Sequence, residues 1–355
     1  MTTYTSSLGN LYLGPVRHGL KELIFSLQPS AITILADDYT ARLCLPLLGD
    51  LAETCHQVTI VPGETHKTLD SCAHIWSMWT KAGLDRSALA IHVGGGMICD
   101  LGGFAASCYQ RGIRFGHIPT SLLAMADASI GGKTGVNFEG FKNYIGRFEN
   151  PTFIWVDPAF LATLPEQGIL DGMTEIVKHA IIGSRALWEF ISGLDDLAHV
   201  SWTDLLSLNM PVKLEIAGAD PKEKGIRKTL NFGHTIGHAL ESYYLDTATP
   251  LSHGQAVTLG ILAESRIAFK AGLLSKQDFQ TIIGLVMRLL RPCEVTLPPL
   301  EDLRQWLKGD KKKTDGRVGF SLPDTIGSCR WDIHVDDSEI RESLNWLQTQ
   351  VKTTL

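Results

Sequence analysis

Two histidines four residues apart, His234 and His238, sit in the run Asn231-Phe232-Gly233-His234-Thr235-Ile236-Gly237-His238, and on a helix that spacing puts both rings on one face. Such a pair can clamp a metal ion. Alternatively one ring ligates while the other hydrogen-bonds a substrate, or both line a half-buried polar face. Two neighbouring features favour the metal. His253-Gly254 opens the next apolar stretch, and Glu175 lies in Gly172-Met173-Thr174-Glu175-Ile176-Val177-Lys178, a carboxylate on a segment that otherwise reads as buried. A buried carboxylate needs compensation, either from an ion or from Lys178 three residues on. One glutamate and two histidines with a fourth position open make the donor set of a catalytic zinc ion, which polarises a substrate oxygen; structural zinc more often recruits thiols.

Anion chemistry is suggested in two other places. Val93-Gly94-Gly95-Gly96 follows a β-rich run and leads into a helix that carries Asp100. Glycines there let backbone N–H groups approach a diphosphate at a helix N-terminus, where the dipole favours negative charge. The spacing is not G-x-G-x-x-G, because Cys99 holds the sixth position, and a plain tight turn is the alternative; the strand-to-helix context favours a nucleotide loop. The second place is Asp127-Ala128-Ser129-Ile130-Gly131-Gly132-Lys133-Thr134-Gly135, followed by Lys142-Asn143. It ends like a P-loop, but Asp127 stands where the first glycine is required. It reads as a loop whose lysines and amide bind a phosphate or carboxylate, or else as a solvated loop. Lys213, Arg227 and Lys311-Lys312-Lys313 are most simply surface charges, and gain a role only because an anion site is already indicated.

The elements that must position these groups change character along the chain. Short β-rich runs at 32–36, 58–61, 88–93, 115–119 and 153–157 alternate with helical stretches, which predicts a mostly parallel sheet with covering helices. Beyond 157 the pattern becomes amphipathic and helical, near 168–183, 202–218, 228–245, 252–271 and 276–290, with little β character before 318–322. At 355 residues the chain exceeds a single core, so two domains are expected, an α/β Rossmann-like domain over 1–157 and a mainly α-helical one over 158–355. No Gly/Ser linker separates them, which predicts direct packing with a cleft for the active site.

Composition narrows the partners. A formal charge of −6 leaves no broad basic face for nucleic acid or an anionic membrane. The seven cysteines include no CxxC pair and read as reduced thiols. The polar start of the chain lacks a signal-peptide pattern, and no apolar run is long enough to span a bilayer, so a cytoplasmic protein is expected.

Taken together, Gly94-Gly95-Gly96 with Asp100 and Arg111, Asp127 through Gly135, Lys142-Asn143, Glu175-x-x-Lys178, Asn231 through His238 and His253-Gly254 resemble the 3-dehydroquinate synthase family over about residues 60–325. The resemblance implies a homodimer that holds NAD and zinc or cobalt. Within one turnover it turns 3-deoxy-D-arabino-heptulosonate 7-phosphate, a sugar-acid phosphate, into 3-dehydroquinate and phosphate by transient oxidation, phosphate elimination, reduction and aldol closure. It implies Glu175, His234 and His253 as metal ligands, with His238 hydrogen-bonding the substrate and, together with Lys178, handling protons. Substrate contacts carry over to Asp127, Lys133, Asn143, Lys178, Lys213, Arg227, Asn231 and Lys311, with Arg111 reaching over from a partner subunit. NAD contacts carry over to Asp37, Glu64, Lys67, Gly95, Gly96, Asp100, Thr120, Ser121, Lys133, Lys142, Phe160, Thr163 and Leu164. Three positions depart from the family's habit: Gly168 and Gln255 where glutamate is usual, and His179 where tyrosine is frequent. The rival readings are another sugar-phosphate cyclase, such as 2-epi-5-epi-valiolone synthase or 2-deoxy-scyllo-inosose synthase, a metal-dependent alcohol dehydrogenase, and a non-catalytic NAD-sensing protein.

Overall fold

The computed structural model describes residues 1–245, 247–309, 313–314 and 317–352; Lys311, one of the candidate cations, lies outside the described residues. Contacts divide the chain into two units, Met1–Gly172 with Trp202–Pro221, and Met173–Ser201 with Lys222–Leu355.

The first unit is built on a sheet of seven strands: β1 (Thr2–Ser6), β2 (Gly9–Leu13), β3 (Ile32–Asp37), β4 (His56–Ile60), β5 (Leu89–Gly94), β6 (Arg114–Pro119) and, after the separate hairpin β7 (Lys133–Phe138) and β8 (Phe141–Phe148), β9 (Phe153–Val156). Their spatial order is β1-β2-β9-β6-β5-β3-β4, and only the β1–β2 pair is antiparallel. Strands β5 and β9 are buried along their whole length, which is why they read as nearly continuous apolar runs. The helices α1 (Leu20–Ser26), α2 (Asp38–Leu43), α3 (Asp50–Thr54), α4 (Leu69–Lys81) and α5 (Gly96–Cys108) connect and cover the strands. This is the α/β architecture that the alternating pattern predicts.

Helix α6 (Glu166–Gly183) begins in the first unit and continues into the second, which also contains α7 (Arg185–Ser192). The sequence reading ended the first domain at 157, but α8 (Trp202–Ala219) groups with the first unit. Side chains explain why. Asn209 Nδ2 donates to the Ala126 carbonyl at 3.0 Å, Lys213 Nζ meets Asp127 Oδ1 at 2.6 Å, and Tyr4 Oη donates to the Ser207 carbonyl at 3.3 Å.

The second unit holds α9 (His234–Tyr244), α10 (His253–Lys270), α11 (Lys276–Leu289), α12 (Leu300–Gly309) and α13 (Asp337–Lys352). It also has a small antiparallel sheet of β10 (Lys313–Thr314), β11 (Arg317–Thr325) and β12 (Ser328–His334). The helical stretch expected over 228–245 is broken: a 3₁₀ turn covers Ile226–Asn231, and α9 starts afresh at His234. Gly233 forms the break at φ +78°, a left-handed conformation that suits glycine. Helices α9 and α10 run antiparallel and very close, with Gly233 against Gly260 and Gly237 against Ala256; a Cβ on Gly260 would overlap the Gly233 carbonyl oxygen.

Candidate active site

In the first unit, the turn from β5 into α5 is made by Gly94, Gly95 and Gly96. A Cβ on Gly94 would collide with Ile98, and one on Gly95 would press on Ser121 Oγ at 3.3 Å. Thr120 N donates to the Gly94 carbonyl at 2.9 Å, which ties the end of β6 to this turn. Four residues into α5, Asp100 Oδ2 accepts from Lys67 Nζ at 2.5 Å, and the same ammonium reaches Asn143 Oδ1 at 2.5 Å. Glu64 lies 3.8 Å from Lys67 and accepts from Asn137 Nδ2 at 2.9 Å, while Asn137 Oδ1 accepts from Asn143 N at 2.8 Å. Burial opposes the charge of Lys67, yet Asp100 and Glu64 outweigh it and raise its pKa; burial raises that of Asp100 against the pull of Lys67. Glu64, Lys67, Asp100 and Asn143 are thus one polar network at the mouth of the glycine turn. Asn137 completes it, and the sequence reading missed this residue because a lone strand asparagine carries no periodic signal.

The other expected residues of the first unit each have their own local setting. Asp37, at the end of β3, spends its carboxylate in a capping box, accepting from Thr40 N at 2.8 Å. Ser121 Oγ accepts from Ala124 N at 3.2 Å, at the start of a π-helical turn, Ala124–Ala128, that presents Asp127 to Lys213. The segment read as a loop after Asp127 becomes the β7–β8 hairpin, in which Thr134 and Val136 point inward and Lys133 and Lys142 stay exposed. Phe160 and Thr163 belong to a 3₁₀ turn, Pro158–Thr163, that Leu164 ends; Phe160 is buried. Arg111 is exposed, at φ +71°.

In the second unit, Glu175 on α6 sits fully buried at the meeting of α9 and α10. Its Oε1 lies 3.5 Å from His234 Nε2 and 3.4 Å from His253 Nε2, and the Lys178 ammonium contacts its other oxygen. One ligand atom from each of Glu175, His234 and His253 falls within 4.8 Å of the others. Two metal–ligand bonds of about 2.1 Å at a tetrahedral angle separate their donors by about 3.4 Å, so this nitrogen–oxygen set fits a zinc- or cobalt-sized ion. Both rings are oriented from behind. His234 Nδ1 is 3.0 Å from the Phe232 carbonyl, and His253 Nδ1 is 3.6 Å from Glu241 Oε2. Burial, reinforced by Lys178, holds His234 neutral. It also opposes charge on His253, but hydrogen bonds and charges from Glu175 and Glu241 raise that pKa to about 10. His238 is exposed, with its ring centroid 4.9 Å from that of His234 and 5.9 Å from that of His253. Arg227 is buried in the 3₁₀ turn, and Asn231 Nδ2 donates to Glu223 Oε1 at 2.7 Å. The sequence reading missed Glu241, although it follows His238 by three residues on the same helix face, a spacing that points to it.

Two of the three departures have local explanations. Gln255 pairs with Ser252 in a capping box at the start of α10, the job a glutamate does there equally well. A side chain at Gly168 would crowd Leu164 at 2.8 Å. His179 is fully buried.

A parallel-sheet unit with a glycine turn, joined to a helical unit with a Glu-His-His cluster, places the chain among the cyclase-type synthases: the 2-epi-5-epi-valiolone synthase of Streptomyces hygroscopicus, solved with NAD+ and Zn2+, matches with a TM-score of 0.84 and 26% identity over 99% of each chain. The 3-dehydroquinate synthase N-terminal family profile matches residues 57–171 and the C-terminal one 172–313, and the chain belongs to the 3-dehydroquinate synthase family. Its curated relatives include the 3-dehydroquinate synthases of Parabacteroides distasonis, 35% identical over 92% of this chain and 94% of that one, and of Synechocystis sp., 37% identical over 94% and 92%.

Proposed function

We propose that this chain is a 3-dehydroquinate synthase in the full sense, a carbon–oxygen lyase that converts 3-deoxy-D-arabino-heptulosonate 7-phosphate to 3-dehydroquinate and phosphate with NAD and a divalent ion, zinc or cobalt. The observation that carries this is the Glu175, His234 and His253 cluster, with carboxylate-to-imidazole distances of 3.5 and 3.4 Å. When bound, NAD supplies a reversible hydride acceptor and the ion a Lewis acid for the substrate hydroxyl.

The chain's own residues do the rest. The N-terminus of α5, with Gly95 and Gly96, receives the dinucleotide's diphosphate. Glu64, Lys67, Asp100 and Lys142 hold its polar groups, and Asp37, Thr120, Ser121, Phe160, Thr163 and Leu164 shape the remainder of its seat. Lys178 and His238 hold and move protons at the substrate's reacting hydroxyl. Lys133, Asn143, Lys213, Arg227, Asn231 and Lys311 bind its phosphate, carboxylate and hydroxyls, with Asp127 orienting Lys213. Relatives at 35% and 37% identity favour the carboxylated substrate over that of the valiolone synthase, which stands at 26%.

We place the enzyme in the cytoplasm as a homodimer. The seven cysteines are free, and no described helix is long and apolar enough to cross a membrane. Phe138, Phe141, Tyr144 and Phe148 are exposed along β7 and β8, apolar side chains suited to burial by a partner subunit, whose substrate Arg111 reaches. The test is phosphate release from the heptulosonate phosphate: a chelator should abolish it and Zn2+ or Co2+ restore it, and activity untouched by chelation would refute the metal assignment.

A further inference from the structure

Helix α9 begins without a cap of its own. Gly233 occupies the N-cap position and has no side chain to bind the first-turn N–H groups, which in most helices a serine, threonine or aspartate would satisfy. The missing acceptor comes from another helix. Glu264, fully buried on α10, accepts from Gly233 N through Oε2 at 2.7 Å and from Ile236 N through Oε1 at 2.9 Å. It stands eleven residues after His253, three turns along the same face of the helix that supplies that histidine.

The Gly233 N–H belongs to the same planar peptide as the Phe232 carbonyl, and that carbonyl is the group 3.0 Å from His234 Nδ1. A single peptide plane is therefore gripped by Glu264 at its N–H end and by His234 at its C=O end. With Nδ1 donating to this carbonyl, Nε2 is left facing Glu175 at 3.5 Å. We propose that Glu264 is a positioning residue for the metal centre, acting on His234 through the Phe232–Gly233 peptide; this rests on the reading of Glu175, His234 and His253 as ligands. A local cap would stabilise α9 equally well but would not tie its first turn to α10. A carboxylate from α10 fixes the register of the two ligand-bearing helices and the tilt of the His234 ring together. Charge-assisted hydrogen bonds suit that task, being shorter and stronger than neutral ones, and groups behind a metal's ligands commonly alter its affinity ten- to a hundredfold.

The test compares Glu264→Gln and His234→Ala with the wild type in the full-length protein, stripped of metal and titrated with Zn2+ against a competing chelator and with Co2+ followed by its visible absorption. Glu264→Gln keeps the shape but turns an amide N–H2 toward one of the two backbone donors. It should bind Zn2+ about tenfold or more weakly and shift the Co2+ bands while remaining folded. A folded Glu264→Gln with wild-type affinity and spectrum overturns the proposal, even if its thermal midpoint falls, because a purely structural role would alter only the midpoint. His234→Ala separates the two readings: if it too binds metal normally, the ligand assignment is what has failed. If Glu264→Gln does not fold, hydrogen exchange at the Gly233 amide of the metal-free wild type decides. Protection before metal is added supports preorganisation by Glu264, and protection only after metal is added contradicts it.

Discussion

His253 Nε2 stands 3.4 Å from Glu175 Oε1, while the opposite nitrogen of the same ring faces Glu241 Oε2 at 3.6 Å. The imidazole is thus held between two carboxylates that are themselves buried. An arrangement in which one carboxylate and a second histidine converge while another carboxylate steadies the ring from behind is how proteins hold a catalytic divalent ion.

The two kinds of proposed ligand should fail differently. Glu175→Ala removes a donor and also leaves the buried Lys178 ammonium without its carboxylate, which costs about 3–5 kcal/mol of stability on top of the lost metal. His253→Ala removes a donor and takes the ring from between Glu175 and Glu241, but Glu175 keeps its Lys178 partner, so this variant should lose metal with a smaller effect on folding. Metal content per chain and urea unfolding of the metal-free proteins check both; equal destabilisation by the two variants would show that Lys178 is not held as described.

Lys67 links Asp100 and Asn143 at 2.5 Å each. Lys67→Met should weaken NAD binding by roughly 10- to 100-fold, the worth of one charged hydrogen bond. It should also cost about 3 kcal/mol, because Asp100 loses its cation in a covered position. The pKa of Asp100, already raised by burial, should rise further, so NAD titrations of the variant should depend on pH where those of the wild type do not. Unchanged NAD affinity would remove Lys67 from the cofactor seat.

His92 and His117 are in-register neighbours on β5 and β6, with their Nδ1 atoms 3.2 Å apart in the sheet core. Burial pushes His117 down to about 3, and burial followed by the His117 charge puts His92 well below its ordinary value. The unfolded chain therefore binds more protons than the folded one between about pH 6.5 and pH 3. The stability these groups contribute is complete above the unfolded pKa and is lost as pH falls through that window. His117→Gln should flatten the decline of urea stability between pH 7 and pH 4 by about one proton. An unaltered slope would mean that the acid sensitivity lies elsewhere.

Much of this was legible in the residues because the chemistry dictates their types. The Glu175, His234 and His253 set, the glycine turn and the alternation of the parallel sheet each carry a periodic or chemical signature. Three features did not. The start of α9 at His234 was hidden because the helical pattern runs on through Gly233, and residue types alone do not show that this glycine adopts φ +78°. Helix α8 joins the first unit through Asn209 and Lys213, whose partners lie more than eighty residues away. Glu264 reads as one more polar residue in an amphipathic helix, because the backbone donors it serves are brought to it only by packing.

The most direct measurement of the central claim follows phosphate release and NADH absorbance together, with 3-deoxy-D-arabino-heptulosonate 7-phosphate, sedoheptulose 7-phosphate and glucose 6-phosphate as substrates. The expected result is turnover of the carboxylated substrate alone, with catalytic NAD and no net NADH, because a site built to pair both anionic groups can discriminate by about 10⁴-fold. Arg227→Leu should lose part of that selectivity along with rate. Equal or faster turnover of either neutral sugar phosphate would contradict the assignment in favour of another cyclase, and steady accumulation of NADH would make the protein a dehydrogenase.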